Sequence, residues 1–590
     1  MESHPPKPVF SLALGVVGHR PNRLPEAALA KVSGDIAAVL DAIVAVAGAV
    51  HDRYHEYFRA DAPLLSLVDA IAEGADRMVA EAALARGFVL DAPLPFSVDE
   101  YENDFATEPP RHHYRALLAK ARNVLELPGE RVAHSQAYER VGMTILGLSD
   151  LMLAVWDGAP AAGKGGTTAM VMTAIHSGQQ PIIYVDATGK SPPKVIWGGF
   201  DLLVAPLETF DGVPWRSLDA GLPVLVDELI RPPGEAAERQ NLGRYFVERS
   251  YGRNWRVEFP LLMALAGVRA VSRADIASPD PEAGARRFAA SAAKTGAGWT
   301  DVAAAYGWAS AIGGRFSQTF RSAYVANFVL GALAVVAAAT SLLADNKMPF
   351  ALTEAVVIGL LIANTAIGRR RDWHRRWIEA REITERLRIS ACLWSLAVRP
   401  AAFQGEEPSW TGWYARAFVR QQGMRAGSLR QDGLVTARDM LTALLVSQGS
   451  YNEVTAKRMG RLEHRLERFG LSLFVATAAS TLYHLIGEPV VHAILPAALD
   501  AGVVTTVLGA SLPALATASY GIRVIGDLEG IAHRAERTRK ALEGLRKAIE
   551  ADALDLGLLR ARARAMAEVM LGDVSSWRLA AESRGLAIPG

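Results

Sequence analysis

A glycine-rich loop between a strand and a helix carries the strongest chemical signal in the chain. Residues 154–168 read AVWDGAPAAGKGGTT, so an apolar strand ends in Trp-Asp-Gly and a helix begins at Thr167. Glycines allow close backbone approach, Lys164 adds a positive charge, and the N–H groups at a helix start favour an anion. This pattern is typical of phosphate binding, and we expect a nucleotide-derived ligand.

Two further polar turns follow apolar strands earlier in the chain. The turn GHR comes after the run 10–17, and EGADR comes after the run 64–71. In a doubly wound sheet, ligands bind beyond the carboxyl ends of the strands, where such turns converge. We expect the basic side chains to hold phosphates and the acidic ones to read a ribose or a base. The predicted ligand-binding residues are Gly18, His19, Arg20, Glu73, Gly74, Asp76, Arg77, Asp157, Gly158, Gly163, Lys164, Gly165, Gly166, Thr167 and Thr168.

Alternating strand and helix patterns must position these turns. Predicted strands cover 10–17, 64–71, 88–94, 151–155 and 182–185. Predicted helices cover 26–55, 76–86, 111–125, 135–146 and 167–177. Because strands that alternate with helices form parallel, doubly wound sheets, the sequence predicts a Rossmann-like α/β domain.

The same segment resembles the SLOG superfamily over about residues 10 to 190. The motifs that carry the resemblance are GVVGHR, AEGADRMVAEAALARGF, LPFSVDEYENDF and DLMLAVWDGAPAAGKGGTTAMV. The resemblance implies the fold shared by LOG enzymes, DprA-like proteins and nucleotide sensors of bacterial defence systems. LOG-type phosphoribohydrolases carry a catalytic glutamate three residues after the Gly-Thr of the glycine motif, where this chain has Met170. A thioether cannot accept a proton as a carboxylate does, so the resemblance implies sensing rather than cleavage.

Other chemistries are disfavoured by residue spacing. The histidines at 112, 113 and 134, with Glu139, have no further ligand at zinc-like spacing, so no metal site is expected. Residues 158–164 match part of a Walker loop, but Gly165 stands where a serine or threonine would hold magnesium. No serine lies in a nucleophile-elbow pattern. We assign no catalytic residue and expect no cofactor beyond the nucleotide-derived ligand.

The composition indicates a large membrane protein of a reducing compartment. The chain has 590 residues, of which 50% are hydrophobic. Its 63 Lys and Arg residues nearly balance 62 Asp and Glu residues, so we expect no nucleic-acid partner. Cys392 is the single cysteine and cannot form an internal disulfide. Residues 1–8 lack the pattern of a secretory signal, so the N-terminal domain is expected in the cytoplasm.

Four long apolar segments lie in the C-terminal half, at 324–343, 350–367, 469–486 and 501–522. Each is long enough to span a bilayer as a helix, and together they form two hairpins. Basic residues flank them on one side only, at positions 315, 321, 369–371, 465, 468 and 523. The positive-inside rule therefore predicts a multi-pass inner-membrane protein with four transmembrane helices and both termini in the cytoplasm.

Polar residues inside these segments are candidates for lining a pore. The alternative is hydrogen bonding between neighbouring helices, which small polar side chains also provide. These residues are Asn327, Glu354, Asn364, His484, Thr505, Thr506 and Thr517. The helix layout of this half resembles the SLATT family of membrane effectors. That resemblance implies a pore-forming effector released by a nucleotide signal in an antiviral response.

Charged helical stretches at 373–398 and 528–566 are expected to extend the membrane helices inward. Their apolar sides predict either an oligomeric collar or packing within the chain. The aromatic and basic segment 239–265 is interpreted as a coupling element. The predicted domains are 1–235, a SLOG-like nucleotide-binding domain; 236–315, a helical coupling segment; 316–468, a first transmembrane hairpin with cytoplasmic helices; and 469–590, a second hairpin with C-terminal cytoplasmic helices.

Three functional hypotheses follow from these features. The preferred one is a ligand-gated membrane protein, in which a nucleotide or cyclic nucleotide messenger binds the strand ends and opens a pore in a homo-oligomer. The second is a membrane-anchored, LOG-like nucleotide N-glycosidase in which Glu73 or Asp157 replaces the missing glutamate. The third is a membrane scaffold with a vestigial pocket.

Overall fold

The computed structural model describes residues 3–159, 166–177, 180–200, 212–249, 251–292, 299–399, 409–487, 501–582 and 586. Within these ranges the chain forms an N-terminal α/β domain and a C-terminal helical region. Three residues of the glycine-rich loop that were predicted to bind ligand, Gly163, Lys164 and Gly165, lie outside the described residues.

A sheet of nine strands forms the centre of the N-terminal domain. The strands are β1 (Ser11–Gly18), β2 (Leu64–Val68), β3 (Val89–Leu94), β4 (Ala121–Glu126), β5 (Leu151–Trp156), β6 (Ile182–Asp186), β7 (Lys194–Ile196), β8 (Trp215–Ser217) and β9 (Gly427–Ser428). Their order across the sheet is β8-β7-β6-β5-β1-β2-β3-β4-β9. All neighbouring strands in the part of the sheet that runs β6-β5-β1-β2-β3-β4-β9 are parallel. The pairs β6–β7 and β7–β8 are antiparallel.

Helices pack on both faces of this sheet. They are α1 (Leu29–Arg53), α2 (Ala75–Leu84), α3 (Val98–Tyr101), α4 (Glu108–Leu118), α5 (His134–Leu148), α6 (Thr167–Ser177) and α7 (Leu218–Ile230). Alternate residues of β1 point to opposite sides, as a strand requires. Leu14 and Val16 join the core that contains α1, and Val17 joins a second core with Val171 of α6. The predicted Rossmann-like α/β domain is therefore present.

Two features of the sheet correct the sequence prediction. The sheet is mixed rather than wholly parallel, because β7 and β8 add an antiparallel edge. Residues 121–125, predicted as the end of a helix, belong to strand β4. Arg122 and Asn123 both donate hydrogen bonds to the buried carboxylate of Asp91 on β3. This contact between distant residues holds β4 in the sheet and overrides the local helical pattern.

In the described part of the chain after residue 235, all the longer elements are helices. Its helices are α8 (Ala236–Phe246), α9 (Glu258–Leu265), α10 (Pro281–Ala292), α11 (Thr300–Thr340), α12 (Met348–Arg370), α13 (Trp373–Ser395), α14 (Trp410–Gln422), α15 (Gln431–Leu482), α16 (Ala501–Gly526), α17 (Leu528–Ala551) and α18 (Leu556–Glu582). The stretch 528–566, expected to be one helix, is two helices that break after Ala551. Arg562 pairs with Asp552 at 2.8 Å across this break.

Within the described ranges, five helices are long and apolar enough to cross a membrane. They are Glu26–Arg53, Thr300–Leu343, Met348–Arg370, Gln431–Ile486 and Gly502–Ala551. The last four contain the four apolar segments that the sequence predicts as spans. The first contains α1, whose buried residues Val32, Ile36 and Val39 share a core with the sheet. This packing explains the apolar character of α1 without a membrane.

The apolar sides of the charged helices are buried within the chain. Trp377, Ile383 and Leu387 of α13 are each at most 6% exposed, and α13 packs on α11 and α18. Helix α17 packs on α15, with Leu542 buried in the same core as Leu441. The apolar faces of α13 and α17 therefore pack within the chain, which is the second of the two arrangements that the sequence predicted.

Candidate functional site

A cleft opens where the carboxyl ends of β1 and β5 meet helix α5 and the start of α6. It has a volume of about 680 Å³. Strand β1 lies between β5 and β2. Strands β2 to β4 follow one another on one side of β1 and strands β5 to β8 on the other side, so the strand order reverses at this point. Such a switch point is where doubly wound sheets bind ligands. The predicted residues that line the cleft are Gly18, His19, Arg20, Asp76, Gly166, Thr167 and Thr168.

Hydrogen bonds fix the start of α6 against the two central strands. The hydroxyl of Thr167 donates to the carbonyl oxygen of Gly18 at 2.8 Å. The indole of Trp156 donates to the hydroxyl of Thr168 at 2.8 Å, and that hydroxyl donates in turn to the carbonyl of Ala159. The first N–H groups of a helix have no partner within the helix, so this end offers donors to an anion in the cleft.

Gly18 and Gly74 allow the first two turns to touch. A Cβ atom at Gly18 would lie 2.5 Å from the Cβ of Ala75, and the N–H of Ala75 donates to the carbonyl of His19 at 3.0 Å. Gly74 has a φ of +110°, and a Cβ there would lie 2.5 Å from the carbonyl oxygen of His19. Both positions need glycine for this close packing, whatever ligand the cleft holds.

His19, Arg23 and Asp157 form a charged cluster at one edge of the cleft. The Nε2 atom of His19 lies 2.9 Å from Oδ1 of Asp157, and Arg23 donates to Oδ2 of Asp157 at 2.6 Å. Burial would raise the pKa of Asp157, but the hydrogen bond with His19 and the charge of Arg23 outweigh it and lower that pKa. Asp157 is therefore an anion that holds the first turn to the end of β5.

A second cluster surrounds Asp104 on the opposite edge. Asp104 accepts hydrogen bonds from Arg131 and from the hydroxyl of Tyr138, and Arg20 lies 3.7 Å from its second oxygen. The guanidinium of Arg20 stands 5.5 Å from the centre of the Tyr138 ring. About half of the Arg20 side chain is exposed, so it can reach an anion in the cleft while Asp104 orients it.

Two buried carboxyl groups, Asp69 and Asp76, lie beneath the cleft. Burial raises the pKa of Asp69 to about 7, and burial together with the neighbouring Asp69 raises the pKa of Asp76 well above its usual value. Oδ1 of Asp69 accepts from the N–H of Ile71, which has a left-handed φ of 57°. Such a conformation is strained for a β-branched residue and is found mostly at functional sites. Asp76 lines the cleft with this raised pKa.

Three predicted residues, Glu73, Gly74 and Arg77, line a separate groove on the far side of the α2 start. The guanidinium of Arg77 is buried, donates to the carbonyls of Ile71 and Pro110, and stacks on Phe105 at 4.2 Å. It therefore holds the second turn to the first turn of α4. Gly158 follows β5 with a φ of +76° and shapes the turn after Asp157.

The structure adds cleft residues that the sequence analysis missed. They are Asn22, Arg23, Tyr101, Asp104, Arg131, His134 and Tyr138. Tyr101 and Asp104 belong to the motif YENDF, which was quoted for the resemblance but given no role. Arg131 and Tyr138 flank the start of α5, and only the spatial meeting of that start with the strand ends reveals them. Met170 also lines the cleft and packs against Gly142 of α5.

Helix α5 joins the cleft to the helical region. Val141 and Ile145 line the cleft, and both also belong to an apolar core that includes Leu393 of α13, Leu441 of α15 and Leu559 of α18. Strand β9, which follows α14, pairs with β4 at the edge of the sheet. The cleft and the helices that continue from the apolar spans are therefore in direct contact.

Polar residues of the apolar hairpin α11–α12 bond to one another. The amide of Asn327 donates to Thr365 at 2.8 Å, and the amide of Asn364 donates to Asn327 at 2.7 Å and to the carbonyl of Ala323 at 3.0 Å. Arg256 donates to Asn364 at 2.8 Å. This arrangement matches hydrogen bonding between helices.

The other pore-lining candidates lie nearer the surface of the chain. Glu354 and Thr505 are half-buried, and Thr506 and Thr517 are exposed. The hydroxyl of Thr505 lies 3.3 Å from Nδ1 of His484, and Thr506 donates to the carbonyl of Gly502 at 2.8 Å.

One family model matches the chain. It is described as a protein of unknown function, DUF4231, and it covers residues 304–407. The matched segment begins within α11 and runs through α12 and α13, so it includes the first apolar hairpin and the helix that follows it. No curated protein matches the chain.

Proposed function

We propose that the cleft binds a nucleotide or cyclic nucleotide messenger and that binding opens a pore formed by the four C-terminal apolar helices. The protein would then be a ligand-gated channel or pore-forming protein of the inner membrane, with both termini in the cytoplasm. The resemblance of the N-terminal segment to SLOG sensors, and of the helical half to SLATT effectors, favours a role in antiviral defence.

The observation that carries this proposal is the double role of α5. One side of the helix lines the cleft through Tyr138, Val141 and Ile145, while Val141 and Ile145 also pack among helices that continue from the apolar spans. A ligand that pulls α5 toward the strand ends must therefore shift or strain that shared core. A rigid, close-packed core transmits such a displacement rather than absorbing it.

The cleft offers the groups that a phosphorylated nucleoside needs. Arg20 is positioned by Asp104 and half-exposed, and the N–H groups at the start of α6 face the same space. Together they would hold the phosphates, while Asp76 and Tyr138 would contact the ribose or the base. Lys164, which lies in the undescribed part of the glycine-rich loop, would add a second cation.

The energy needed for gating is within reach of such a site. A ligand that binds the open state about a hundredfold more tightly than the closed state supplies roughly 2.7 kcal/mol per site. In a homo-oligomer, several sites acting on one pore multiply this bias. Four spans in one chain form a small bundle, so a shared pore between subunits is the simplest way to make an ion path.

Identifying the small molecule bound to the protein in cells tests the proposed function directly. Full-length protein purified from infected and uninfected cells is denatured, and the released small molecules are identified by mass spectrometry. We expect a nucleotide to be enriched in the infected sample and lost in Arg20→Gln, but retained in Arg86→Gln, whose arginine pairs with Asp41 on the outer surface. Equal nucleotide content in all samples would overturn the proposal.

A second candidate function is hydrolysis of a nucleotide N-glycosidic bond, and Asp76 is the observation that favours it. A carboxyl group that faces a cleft and whose pKa is raised by burial is suited to act as a general acid. Glu73 lies in the other groove, and Asp157 is held by His19 and Arg23. Release of free base from nucleoside monophosphates by the wild type, abolished in Asp76→Asn, would favour this enzyme over the sensor. If neither activity nor ligand is found, the scaffold hypothesis stands.

A further inference from the structure

A second polar cavity lies within the helical region, away from the sheet domain. It has a volume of about 340 Å³ and is enclosed by residues of α9, α11, α13, α15, α17 and α18 and of the segment that follows α9. Five arginines from five different segments line it, and they are Arg269, Arg321, Arg381, Arg458 and Arg534. Two carboxylates, Asp275 and Asp573, share the lining, and a third, Asp527, pairs with Arg534 from outside it, so the five arginines exceed their carboxylate partners by two.

Three of these arginines have a carboxylate partner. Arg269 pairs with Asp275 at 2.6 Å, and Arg534 pairs with Asp527 at 2.6 Å. Arg381 lies 3.9 Å from Asp573, at the limit of an ion pair. Asp573 also accepts a hydrogen bond from the hydroxyl of Thr538, so the acids of the cavity are already occupied.

The remaining two cations are not neutralised in this way. Among the described residues, the arginines of this cavity that form an ion pair within 4 Å of a carboxylate are Arg269, Arg381 and Arg534, and Arg321 and Arg458 form none. Arg321 is held instead between two aromatic rings, 5.3 Å from the centre of Phe259 and 5.0 Å from that of Trp377. Placing a half-buried cation on aromatic faces fixes its direction but does not offset its charge.

The position of the cavity matches the edge of a bilayer. Arg321 precedes the first apolar segment by three residues, or about 5 Å along the helix, and Arg458 precedes the third by eleven residues, or about 16 Å. The interfacial layer on each side of the hydrocarbon is roughly 5 to 8 Å thick. With the apolar segments spanning a bilayer, as the proposed function requires, Arg321 would stand at the depth of the headgroups and Arg458 in the adjoining water.

We infer that this cavity binds a phosphate-bearing anion at the boundary between the membrane and the cytosol. Guanidinium groups bind phosphate oxygens in pairs of parallel hydrogen bonds, and Arg321 and Arg458 supply them from two helices that continue into different apolar hairpins. The bound anion neutralises the excess charge and holds α11 to α15. The phosphate belongs to a lipid headgroup or to a free anion, and the chemistry of recognition is the same for both.

The experiment uses full-length protein in an uncharged detergent. Native mass spectrometry counts bound phosphatidylglycerol, and then bound inorganic pyrophosphate after exhaustive removal of lipid. The variants are Arg321→Gln, Arg458→Gln and, as a matched control, Arg461→Gln, which removes an exposed arginine one turn further along α15 and outside the cavity. Arg20→Gln separates this site from the cleft in the sheet domain.

Arg321→Gln and Arg458→Gln are expected to weaken binding of at least one of the two probes by tenfold or more at one site per chain. Arg461→Gln and Arg20→Gln are expected to leave that site unchanged. Retention of phosphatidylglycerol that pyrophosphate does not displace identifies a lipid headgroup, and binding of pyrophosphate alone identifies a free anion. Because the side chain of Arg458 is exposed, replacing it carries little risk of misfolding. If Arg458→Gln binds both probes as tightly as the wild type does, the inference is overturned.

Discussion

Arg560 donates a 3.1 Å hydrogen bond to the hydroxyl of Thr144, which links the last helix of the chain to the helix that forms one wall of the cleft. The same guanidinium donates to the carbonyl of Leu396 at the end of α13 at 2.9 Å. Burial, with Arg564 and Arg140 nearby, lowers the pKa of Arg560 to about 10, so it remains charged at neutral pH. One buried cation thus joins α5, α13 and α18.

Replacing this cation should separate ligand binding from pore opening. In Arg560→Met the three helices lose their shared hydrogen bonds while the cleft keeps all its lining residues. We expect the nucleotide affinity to change by less than threefold and the ligand-evoked ion flux to fall by at least tenfold, measured on the same preparation. Arg564→Met, which removes an exposed arginine one turn further along the same helix, is the control. Parallel loss of binding and flux would show that Arg560 only maintains the fold.

Gly18 is required for close packing of the first two turns. In Gly18→Ala the new methyl group meets Ala75 and Oδ1 of Asp76, so the strand or α2 must shift. We expect a loss of about 1 to 3 kcal/mol in the free energy of unfolding and a nucleotide affinity reduced by tenfold or more. Gly34→Ala is the control, because a Cβ there meets nothing within 4 Å in the exposed middle of α1. That variant should gain about 0.5 to 1 kcal/mol. Unfolding by heat and a nucleotide titration measure both effects.

The buried acid Asp69 makes stability depend on pH. Its pKa is about 7 in the folded protein against 3.8 in an unfolded chain, so between these values the folded state holds a proton that the unfolded state has lost. The free energy of unfolding therefore falls as the pH rises from about 4 to 7. Asp69→Asn keeps an oxygen that accepts the hydrogen bond from the N–H of Ile71, but it removes the ionisable group and with it the loss of stability at higher pH.

We expect Asp69→Asn to raise the thermal midpoint at pH 8 and to leave it nearly unchanged at pH 4. Asp61→Asn, which alters an exposed carboxylate in the loop before β2, serves as the reference. A stabilisation of Asp69→Asn that is equal at both pH values would contradict the assigned pKa.

The bond between Asn327 and Thr365 should stabilise the first apolar hairpin. Asn327→Leu leaves the amide of Asn364 and the hydroxyl of Thr365 without this partner in a buried site. Hydrogen bonds between membrane helices are worth about 0.6 to 2 kcal/mol, and we expect a loss of that size when unfolding is followed in detergent. Thr353→Val, on the exposed side of the same hairpin, should cost less than a third as much. Unchanged stability but altered ion selectivity of Asn327→Leu would instead favour the pore-lining interpretation.

Much of the α/β domain follows from the sequence because its strands are buried and each is followed by a polar turn. The run 10–17 and the helix 167–177 agree with β1 and α6 to within a residue. Strand β4 could not be predicted, since its residues alternate only weakly and its place in the sheet depends on Asp91. Strand β9 is two residues long and begins 210 residues after the end of β8.

The candidate site was predictable only in outline. The first turn, Asp76 and the start of α6 converge as expected, because the carboxyl ends of parallel strands share one edge of the sheet. The partners of Arg20 were not predictable, since Asp104 and Tyr138 reach the cleft through a loop and a helix whose positions depend on tertiary packing. Arg77 has the residue type of a phosphate ligand, but the folded chain uses its guanidinium for two backbone carbonyls.

Ion flux from proteoliposomes tests the central claim most directly. Full-length protein is reconstituted with trapped potassium, and cyclic dinucleotides, cyclic mononucleotides and nucleoside mono- and diphosphates are added one at a time. The account predicts that at least one of them evokes potassium release, and that Arg20→Gln raises its half-maximal concentration at least tenfold while Arg86→Gln does not. The account would be contradicted if no nucleotide, including the messenger recovered from cells, evoked potassium release. It would also be contradicted if the release were identical in Arg20→Gln and wild type.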